Sequence, residues 1–220
     1  MKTIVIWDIH GRNIRKKIVN QDFDKVIFVW DYFDSFDISI ADQIQNFKDI
    51  LEFRDAQWMQ DKFNKVCLLC GNHDWHYMSE DNTRWTGYSP ITAIQVKDLL
   101  NNAWLISFYD ALKSDMTVLY RISHAWYTQK YANEFLSFIR NFDFDNAANH
   151  IEVHRKTMNN LDWPLRIRPE ELNKDLPDFK QVFWHTQIDN IILWDNINVD
   201  CLHNWQYLVI ENGTVSVQFI

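Results

Sequence analysis

Glycine is scarce in this sequence, at 4 of 220 residues, where an average composition would give about 7%. Proline is also rare, with 4 residues, and we find no repeat, low-complexity tract or linker. A single domain over residues 1–220 is therefore the simplest interpretation. The cysteines, Cys67, Cys70 and Cys201, are few, as is typical of a reducing compartment, so we expect a cytoplasmic protein.

Long apolar runs and an excess of positive charge are also missing. No run approaches the length of a membrane span, and the one before Asp8 is too short for a signal peptide, so we expect no membrane association. The formal net charge of −8 argues against a nucleic-acid-binding surface, which needs a basic stripe. A phosphate ester remains compatible with this charge, because bound divalent cations can reverse the local field.

The first third of the chain alternates buried strands with helices. Apolar runs predict strands over 3–7, 25–30 and 66–70, and the spacing of apolar residues predicts helices over 13–21 and 39–53, with Ser39 as N-cap. Polar residues follow the end of each strand. Open α/β sheets bind their ligands at this edge, so the pattern predicts a site there.

The remaining chain mixes both element types. Beyond the third strand the sequence predicts helices over 90–101, 130–142 and 146–158, and strands over 104–109, 116–122, 180–184, 191–194, 207–210 and 214–220. A hairpin turn at Glu211-Asn212-Gly213 joins the last two strands.

Polar blocks that could bind metal lie where five apolar runs end. They are Asp8-Ile9-His10-Gly11, Asp31-Tyr32-Phe33-Asp34, Gly71-Asn72-His73-Asp74, Ser123-His124-Ala125 and His185-Thr186-Gln187. A pair of divalent cations about 3.5–4 Å apart needs a bridging carboxylate with oxygen and imidazole ligands, and acts on phosphate esters. Asp8 and His10 could hold one ion, Asp31 could bridge, and Asn72, His124 and His185 could complete the second ion's site. Mixed ligation of this kind suits Mn, Fe or Zn better than Ca.

His73 would point away from these ions, towards the bond to be broken. There it could act as general acid for the leaving alkoxide, oriented by a carboxylate such as Asp34 or Asp74. A water that bridges the ions would be the nucleophile. Arg166 and Arg168 are candidates for contacts with the phosphoryl oxygens.

The order D-x-H-G, D-x-x-D, G-N-H-D, S-H-A, H-T resembles the calcineurin-like metallophosphoesterases, which include the serine/threonine protein phosphatases. The resemblance implies an α/β fold (an α+β sandwich) of two mixed β-sheets packed face to face and flanked by helices. It implies two divalent metal ions, Mn first with Fe, Zn or Ni as alternatives, and a phosphoprotein or nucleotide substrate. It also implies the ligand set given above, with His73 catalytic and Asp34 its orienting partner. Gln187, where some branches have a second His, favours the protein-phosphatase-like and dinucleotide-phosphatase branches.

The sequence departs from that family at a phosphate-binding position and at several glycine positions. Ser35 stands where an Arg usually holds phosphate, and tryptophan, with 11 residues, occupies positions where the family has Gly. Those positions are Trp7, Trp30, Trp126 and Trp184. An indole needs space and restricts the backbone where Gly permits close approach. We hypothesise that the chain is altered or diverged from an ordinary active homologue.

Three functions are compatible with these observations. The first is a serine/threonine phosphatase-like, metal-dependent hydrolase of phosphomonoesters. The second is a hydrolase of dinucleoside polyphosphates or other nucleotides, for which Trp75 and Trp85 could stack a base. The third is a catalytically impaired scaffold of the same fold. The remaining histidines, His76, His150, His154 and His203, are expected to be surface or partly buried residues rather than ligands.

Overall fold

The computed structural model describes residues 1–7, 9–18, 20–29, 31–58, 65–79, 84, 86–106, 108–112, 118–125, 180–183, 192–193, 197–198 and 206–219. The chain divides into two compact units, one of residues 1–105 with 201–220 and one of residues 106–200. Each unit contains one mixed β-sheet of five strands, which confirms the predicted α/β class with two mixed sheets. The face-to-face packing of the sheets and the single domain stay predictions.

The described elements follow one another in a β-α-β-α-β order and then in a largely β order. They are β1 (Lys2–Trp7), α1 (Arg15–Ile18), β2 (Lys25–Val29), α2 (Ile40–Trp58), β3 (Val66–Leu69), α3 (Asn72–Met78), α4 (Ala93–Asn101), β4 (Phe108–Leu112), β5 (Val118–Ser123), β6 (Lys180–Phe183), β7 (Ile192–Leu193), β8 (Ile197–Asn198), β9 (Gln206–Glu211) and β10 (Thr214–Phe219). No helix within the described ranges is long and apolar enough to cross a bilayer.

The sheet of the first unit has the order β10-β9-β1-β2-β3. Strands β1, β2 and β3 are parallel, with Ile6 paired to Phe28 and Phe28 to Leu68. All three side chains are buried, as is typical of parallel strands that are covered on both faces and read as continuous apolar runs. The parallel order places the carboxyl ends of the three strands at one edge. The predicted β-α-β-α-β unit is thus confirmed.

Helix α2 crosses from β2 to β3 and anchors the loop after β2. The hydroxyl of Ser39 accepts the N–H of Asp42 at 3.2 Å, as predicted for an N-cap. The buried ring of Phe47 packs against Tyr32 and Phe33, with ring centroids 4.6 and 5.2 Å apart. The helix runs to Trp58, beyond the predicted end at residue 53, whereas α1 is shorter than predicted.

Positive φ angles explain why one predicted strand begins later than expected and why the predicted hairpin turn forms. The strand predicted over 104–109 begins only at Phe108, because Trp104 has a left-handed backbone with φ 53° and cannot lie in a ladder. The hairpin between β9 and β10 is confirmed, since Asn212 and Gly213 have φ 50° and 84°, as a primed turn requires. The helices predicted over 130–142 and 146–158 lie outside the described residues.

The sheet of the second unit has the order β4-β5-β6-β8-β7, with β5 and β6 parallel. Opposite positions of β4 and β5 carry Asp110 and Arg121, whose two carboxylate–guanidinium contacts of 2.6 and 2.5 Å tie the strands together. His124 directly follows β5 and is fully buried. The short strand β8 was not predicted, because two residues give no readable period.

Replacing Phe47 with alanine should lower the free energy of unfolding by about 3–5 kcal/mol, because it leaves a cavity beneath Tyr32 and Phe33. The matched control is Phe36→Ala, since the Phe36 side chain is 82% exposed. That variant should stay within about 0.5 kcal/mol of the original protein. Urea unfolding measures both, and equal losses in the two variants would contradict the packing.

Candidate functional site

The site is built where the loops after β1, β2 and β3 meet. The N–H of His10 donates to the carbonyl of Asp31 at 2.6 Å, and the N–H of Gly11 donates to the carbonyl of Tyr32 at 3.0 Å. The N–H of His73 donates to Oδ1 of Asp31 at 3.1 Å. These bonds join three segments that are far apart in sequence. The described site residues of the first unit are thereby brought together: His10, Asp31, Asp34, Asn72, His73 and Asp74.

The remaining predicted site residues belong to the second unit or lie outside the described part of the chain. His124 belongs to the second unit and is described above. Asp8, His185, Arg166, Arg168, Trp30, Trp126 and Trp184 lie outside the described residues. Their assignment stays a prediction.

The backbone is strained at three of the site residues. His10, Asp31 and Asp34 have φ 36°, 32° and 65°, in the left-handed region that residues with a side chain rarely adopt. Each such conformation costs on the order of 1–3 kcal/mol and persists only where the surrounding structure holds it. Strain of this kind clusters at catalytic and binding sites, so the backbone independently favours a functional role for this edge of the sheet.

His73 and Asp34 form the closest side-chain pair of the predicted catalytic residues. Nδ1 of His73 lies 3.0 Å from Oδ2 of Asp34, and the Asp34 carboxylate has no exposed surface. An ionised carboxylate only accepts, so Nδ1 of His73 carries the proton in this pair. The His73 ring also lies 5.5 Å from the ring of His10, edge to face. Asp34 therefore fixes both the tautomer and the orientation of the His73 imidazole.

The electrostatics favour a charged pair. Burial alone would lower the pKa of His73, but the nearby charge of Asp31 and the hydrogen bond to Asp34 raise it above its ordinary value. Burial alone would raise the pKa of Asp34, but the hydrogen bonds from His73 and Tyr77 and the nearby His76 ring outweigh this and lower it. An imidazolium held against an ionised carboxylate is a proton donor in place for a leaving group.

Asp74 has a different environment from Asp34. Its Oδ1 accepts the N–H of Tyr32 at 2.9 Å, and its Oδ2 accepts the N–H of Gly71 at 3.1 Å, so it caps α3 and ties the helix to the loop after β2. Burial and then the charge of Asp31 raise the pKa of Asp74 well above its usual range. Asp34, and not Asp74, contacts the ring of His73 in this structure. A catalytic role for Asp74 stays a prediction.

His10 has the geometry expected of a metal ligand's imidazole. Its Nδ1 lies 2.6 Å from the carbonyl of Phe33, which can only accept, so Nε2 of the neutral ring carries the lone pair. Metal-binding histidines are commonly oriented in this way by a backbone carbonyl. Together with the Asp31 carboxylate and the Asn72 amide, the donors fit a mixed oxygen and nitrogen site. Among the described residues no three His, Cys, Asp or Glu side chains converge on a metal position, and Asp8 is not among them.

The sequence did not predict helix α3 or the role of His76. The helix begins at Asn72, inside the Gly-Asn-His-Asp block, although Asn, His and Asp are weak helix formers. His76 is fully buried rather than partly exposed, and its Nε2 lies 2.8 Å from Oδ2 of Asp34. The i, i+3 spacing of His73 and His76 would place them on one helical face, and this was the signal available in the sequence.

Helix α2 holds two of the site loops through amide side chains. The buried Gln43 accepts the N–H of Ser35 at 3.2 Å and donates to the carbonyl of Ile38 at 2.6 Å. Asn46 donates to the carbonyl of Gly11. A Cβ atom on Gly11, which has φ 72°, would collide with the Gln43 side chain. Gln43 and Asn46 are thus positioning residues that the sequence analysis missed.

Ser35 and Trp7 were expected to differ from the family, and both are accommodated structurally. The Ser35 hydroxyl accepts the N–H of Asp37 at 3.3 Å and of Ile38 at 3.2 Å, which makes it a turn residue. The Trp7 indole is fully buried at the end of β1, and within the described part of the chain its N–H has no hydrogen-bond partner. An unsatisfied buried donor costs about 1–3 kcal/mol. The indole is therefore packed in the core at some cost in stability.

Comparison with known proteins shows the fold and no family. No protein-family model matches the chain, and no curated protein is significantly similar to it in sequence. Among solved structures, the chain is similar to the cold-active protein-tyrosine phosphatase of a psychrophile, Shewanella sp., with 15% identity and a TM-score of 0.58. The match covers 98% of this chain and 80% of that one. At this identity the similarity shows that the two proteins share a fold.

Substituting Gly11 with alanine should destabilise the protein more than the matched control Gly213→Ala. Both glycines have positive φ, 72° and 84°, so both variants bear the cost of a left-handed alanine, about 1–2 kcal/mol. Only the methyl group at Gly11 also collides with Gln43, which should add about 1–3 kcal/mol of overpacking. The free energies of unfolding in urea give the comparison. Equal values would mean that the loop after β1 is not held against α2.

Proposed function

We propose that this protein is a metal-dependent phosphoesterase that hydrolyses phosphomonoesters by the serine/threonine phosphatase-like mechanism described above. The observation that carries the proposal is the contact between Nδ1 of His73 and the buried Asp34 carboxylate, beside Asp31 and His10 at the carboxyl ends of parallel strands. The similar fold of a phosphatase supports a phosphate ester as substrate.

His73 has the role of general acid in this proposal. The hydrogen bond to Asp34 leaves the other ring nitrogen, Nε2, as the atom that gives its proton to the leaving oxygen. Asp34 keeps the ring from rotating and stabilises its charge, as the raised pKa of His73 indicates. Asp31 fixes the backbone of His73 and contributes negative charge beside it. A general acid of this kind contributes typically about 10²–10⁴-fold in rate.

Divalent cations complete the proposed site. His10, Asp31 and Asn72 would hold divalent ions, Mn first with Fe, Zn or Ni as alternatives. The sequence-based assignment of Asp8, His124 and His185 as further ligands of a two-ion site stays a prediction. Bound there, the ions would supply positive charge for the phosphoryl oxygens and lower the pKa of the attacking water. The buried Asp31 carboxylate and the oriented His10 imidazole are the described groups that suit this role.

The substrate class that we favour is a phosphorylated protein, with a nucleotide as the alternative. The structural neighbour is a protein-tyrosine phosphatase, which favours a protein substrate and makes an aryl phosphate a suitable probe. The Ser35 hydroxyl accepts hydrogen bonds from its own loop, so a cationic side chain elsewhere must contact the phosphate. We propose Arg166 and Arg168 for that role. The cytoplasm stays the proposed location.

Changing His73 to asparagine should reduce Mn-dependent hydrolysis of phenyl phosphate by about 10²–10⁴-fold in kcat, since the proton donor is lost. The metal content of the purified protein should be unchanged, because His73 is not a proposed ligand. His150→Asn makes the same chemical change at a residue with no proposed role and should retain full activity. An equal loss in both variants would argue against the assignment of His73.

The impaired-scaffold alternative is tested by restoring glycine beside two proposed ligands. The chain is compared with a Trp30→Gly, Trp184→Gly double variant in the same Mn-dependent assay. We expect activity in both proteins, which would mean that the site tolerates the indoles. Activity in the double variant alone would favour a scaffold that has lost a working site. Inactivity in both proteins would contradict the proposed function.

A further inference from the structure

The carboxylate of Asp34 is shared by more groups than the pairing with His73 requires. Its Oδ2 lies 3.0 Å from Nδ1 of His73 and 2.8 Å from Nε2 of His76, while its Oδ1 accepts the hydroxyl of Tyr77 at 2.7 Å. His73, His76 and Tyr77 all lie on α3. One helix therefore surrounds a single carboxylate with three polar groups, of which the proposed reaction uses only one.

This cluster is closed off from solvent. The side chains of Asp34 and His76 both have 0% exposure. The rings of Tyr77 and Tyr88 stack on each other at 4.9 Å, and the His76 ring contacts both edge-on, with centroids 4.4 Å from Tyr77 and 5.0 Å from Tyr88. A contact between a carboxylate and an imidazole is much stronger in such surroundings than in water. His76 thus has neither the exposure nor the freedom expected of a surface histidine.

The segment before α4 covers the other side of Asp34. The N–H of Ser89 donates to the Tyr77 hydroxyl at 3.0 Å, which orients this hydroxyl towards Asp34. A Cβ atom on Gly87, where φ is 93°, would lie only 2.6 Å from the Cβ atom of Asp34. The backbone of this segment therefore presses directly on Asp34. Asp34 is therefore contacted by the segment before α4 at its Cβ atom and by α3 at its two oxygens.

We propose that His76 is a positioning residue that acts through Asp34 to hold the His73 imidazole in the orientation for proton transfer. This inference rests on the proposed function. Without the contact at Nε2 of His76, the carboxylate is held by Tyr77 and by His73 itself, so it can rotate with the ring that it should fix. The expected consequence is a general acid that is present but poorly aimed.

The test replaces His76 with phenylalanine, which keeps a ring packed against Tyr77 and Tyr88 but removes the contact with Asp34. Phenyl phosphate needs protonation of its leaving oxygen, whereas the far more acidic leaving group of 2,4-dinitrophenyl phosphate does not. With Mn present, kcat for phenyl phosphate should fall about 10–100-fold, the usual effect of losing such a supporting contact. The kcat for the dinitrophenyl ester and both KM values should change little.

Two further variants separate positioning from packing. His76→Gln retains an N–H donor near the position of Nε2 and should recover much of the lost kcat for phenyl phosphate. Tyr88→Phe keeps the ring contact with His76 and should behave as the original protein. Equal losses for both esters in His76→Phe would assign His76 a structural role only and overturn the proposal. Unchanged kinetics would overturn it as well.

A measurement without turnover distinguishes failure of this inference from failure of the proposed function. In nitrogen-15 NMR of the full chain as purified, the Nδ1 proton of His73, assigned by its loss in His73→Asn, should give a downfield, slowly exchanging signal. His76→Phe should broaden or remove that signal. If it does so in a protein that hydrolyses neither ester, the positioning stands and the proposed phosphoesterase function fails. A signal that His76→Phe leaves unchanged overturns the positioning role.

Discussion

The buried charge of Asp34 is the constraint around which the described site is arranged. A carboxylate with no exposed surface is stable only if hydrogen-bond donors replace its water. Helix α3 supplies hydrogen bonds from His73 and Tyr77 and places Nε2 of His76 2.8 Å from the carboxylate, and their combined effect lowers the pKa of Asp34 in spite of burial. The helix must therefore begin immediately after β3. Folding of this corner and the placement of the His73 imidazole follow from the same electrostatic requirement.

The two buried carboxyl groups of Asp34 and Asp74 differ in how well their negative charge is stabilised. Asp34 is held ionised by side-chain donors, whereas Asp74, beside the charge of Asp31, has a strongly raised pKa although it accepts two backbone N–H groups. Two nearby buried carboxylates repel each other unless a proton or a cation lies between or beside them. A proton on Asp74 relieves this repulsion, in agreement with its raised pKa.

The sequence predicted the elements that period and capping specify, and it missed those that tertiary contacts specify. The parallel unit of β1, β2 and β3, with α2 starting at its Ser39 cap, follows from apolar runs and local chemistry. Helix α3 could not be found in this way, because its stability comes from Asp74 capping and from contacts with Asp34. His76 was misplaced for the same reason. A polar residue looks exposed until its buried partner is known.

Two of the four glycines of the chain, Gly11 and Gly87, lie at the candidate site. Gly11 and Gly87 have positive φ, and a Cβ atom on either would meet Gln43 or Asp34, so these two positions require glycine on both conformational and steric grounds. Trp7 shows the opposite case, since its indole is buried in the core and, among the described residues, its N–H has no hydrogen-bond partner. Glycine thus stands at two positions where a side chain would displace the loops of the candidate site, whereas at Trp7 the core accommodates a bulky ring.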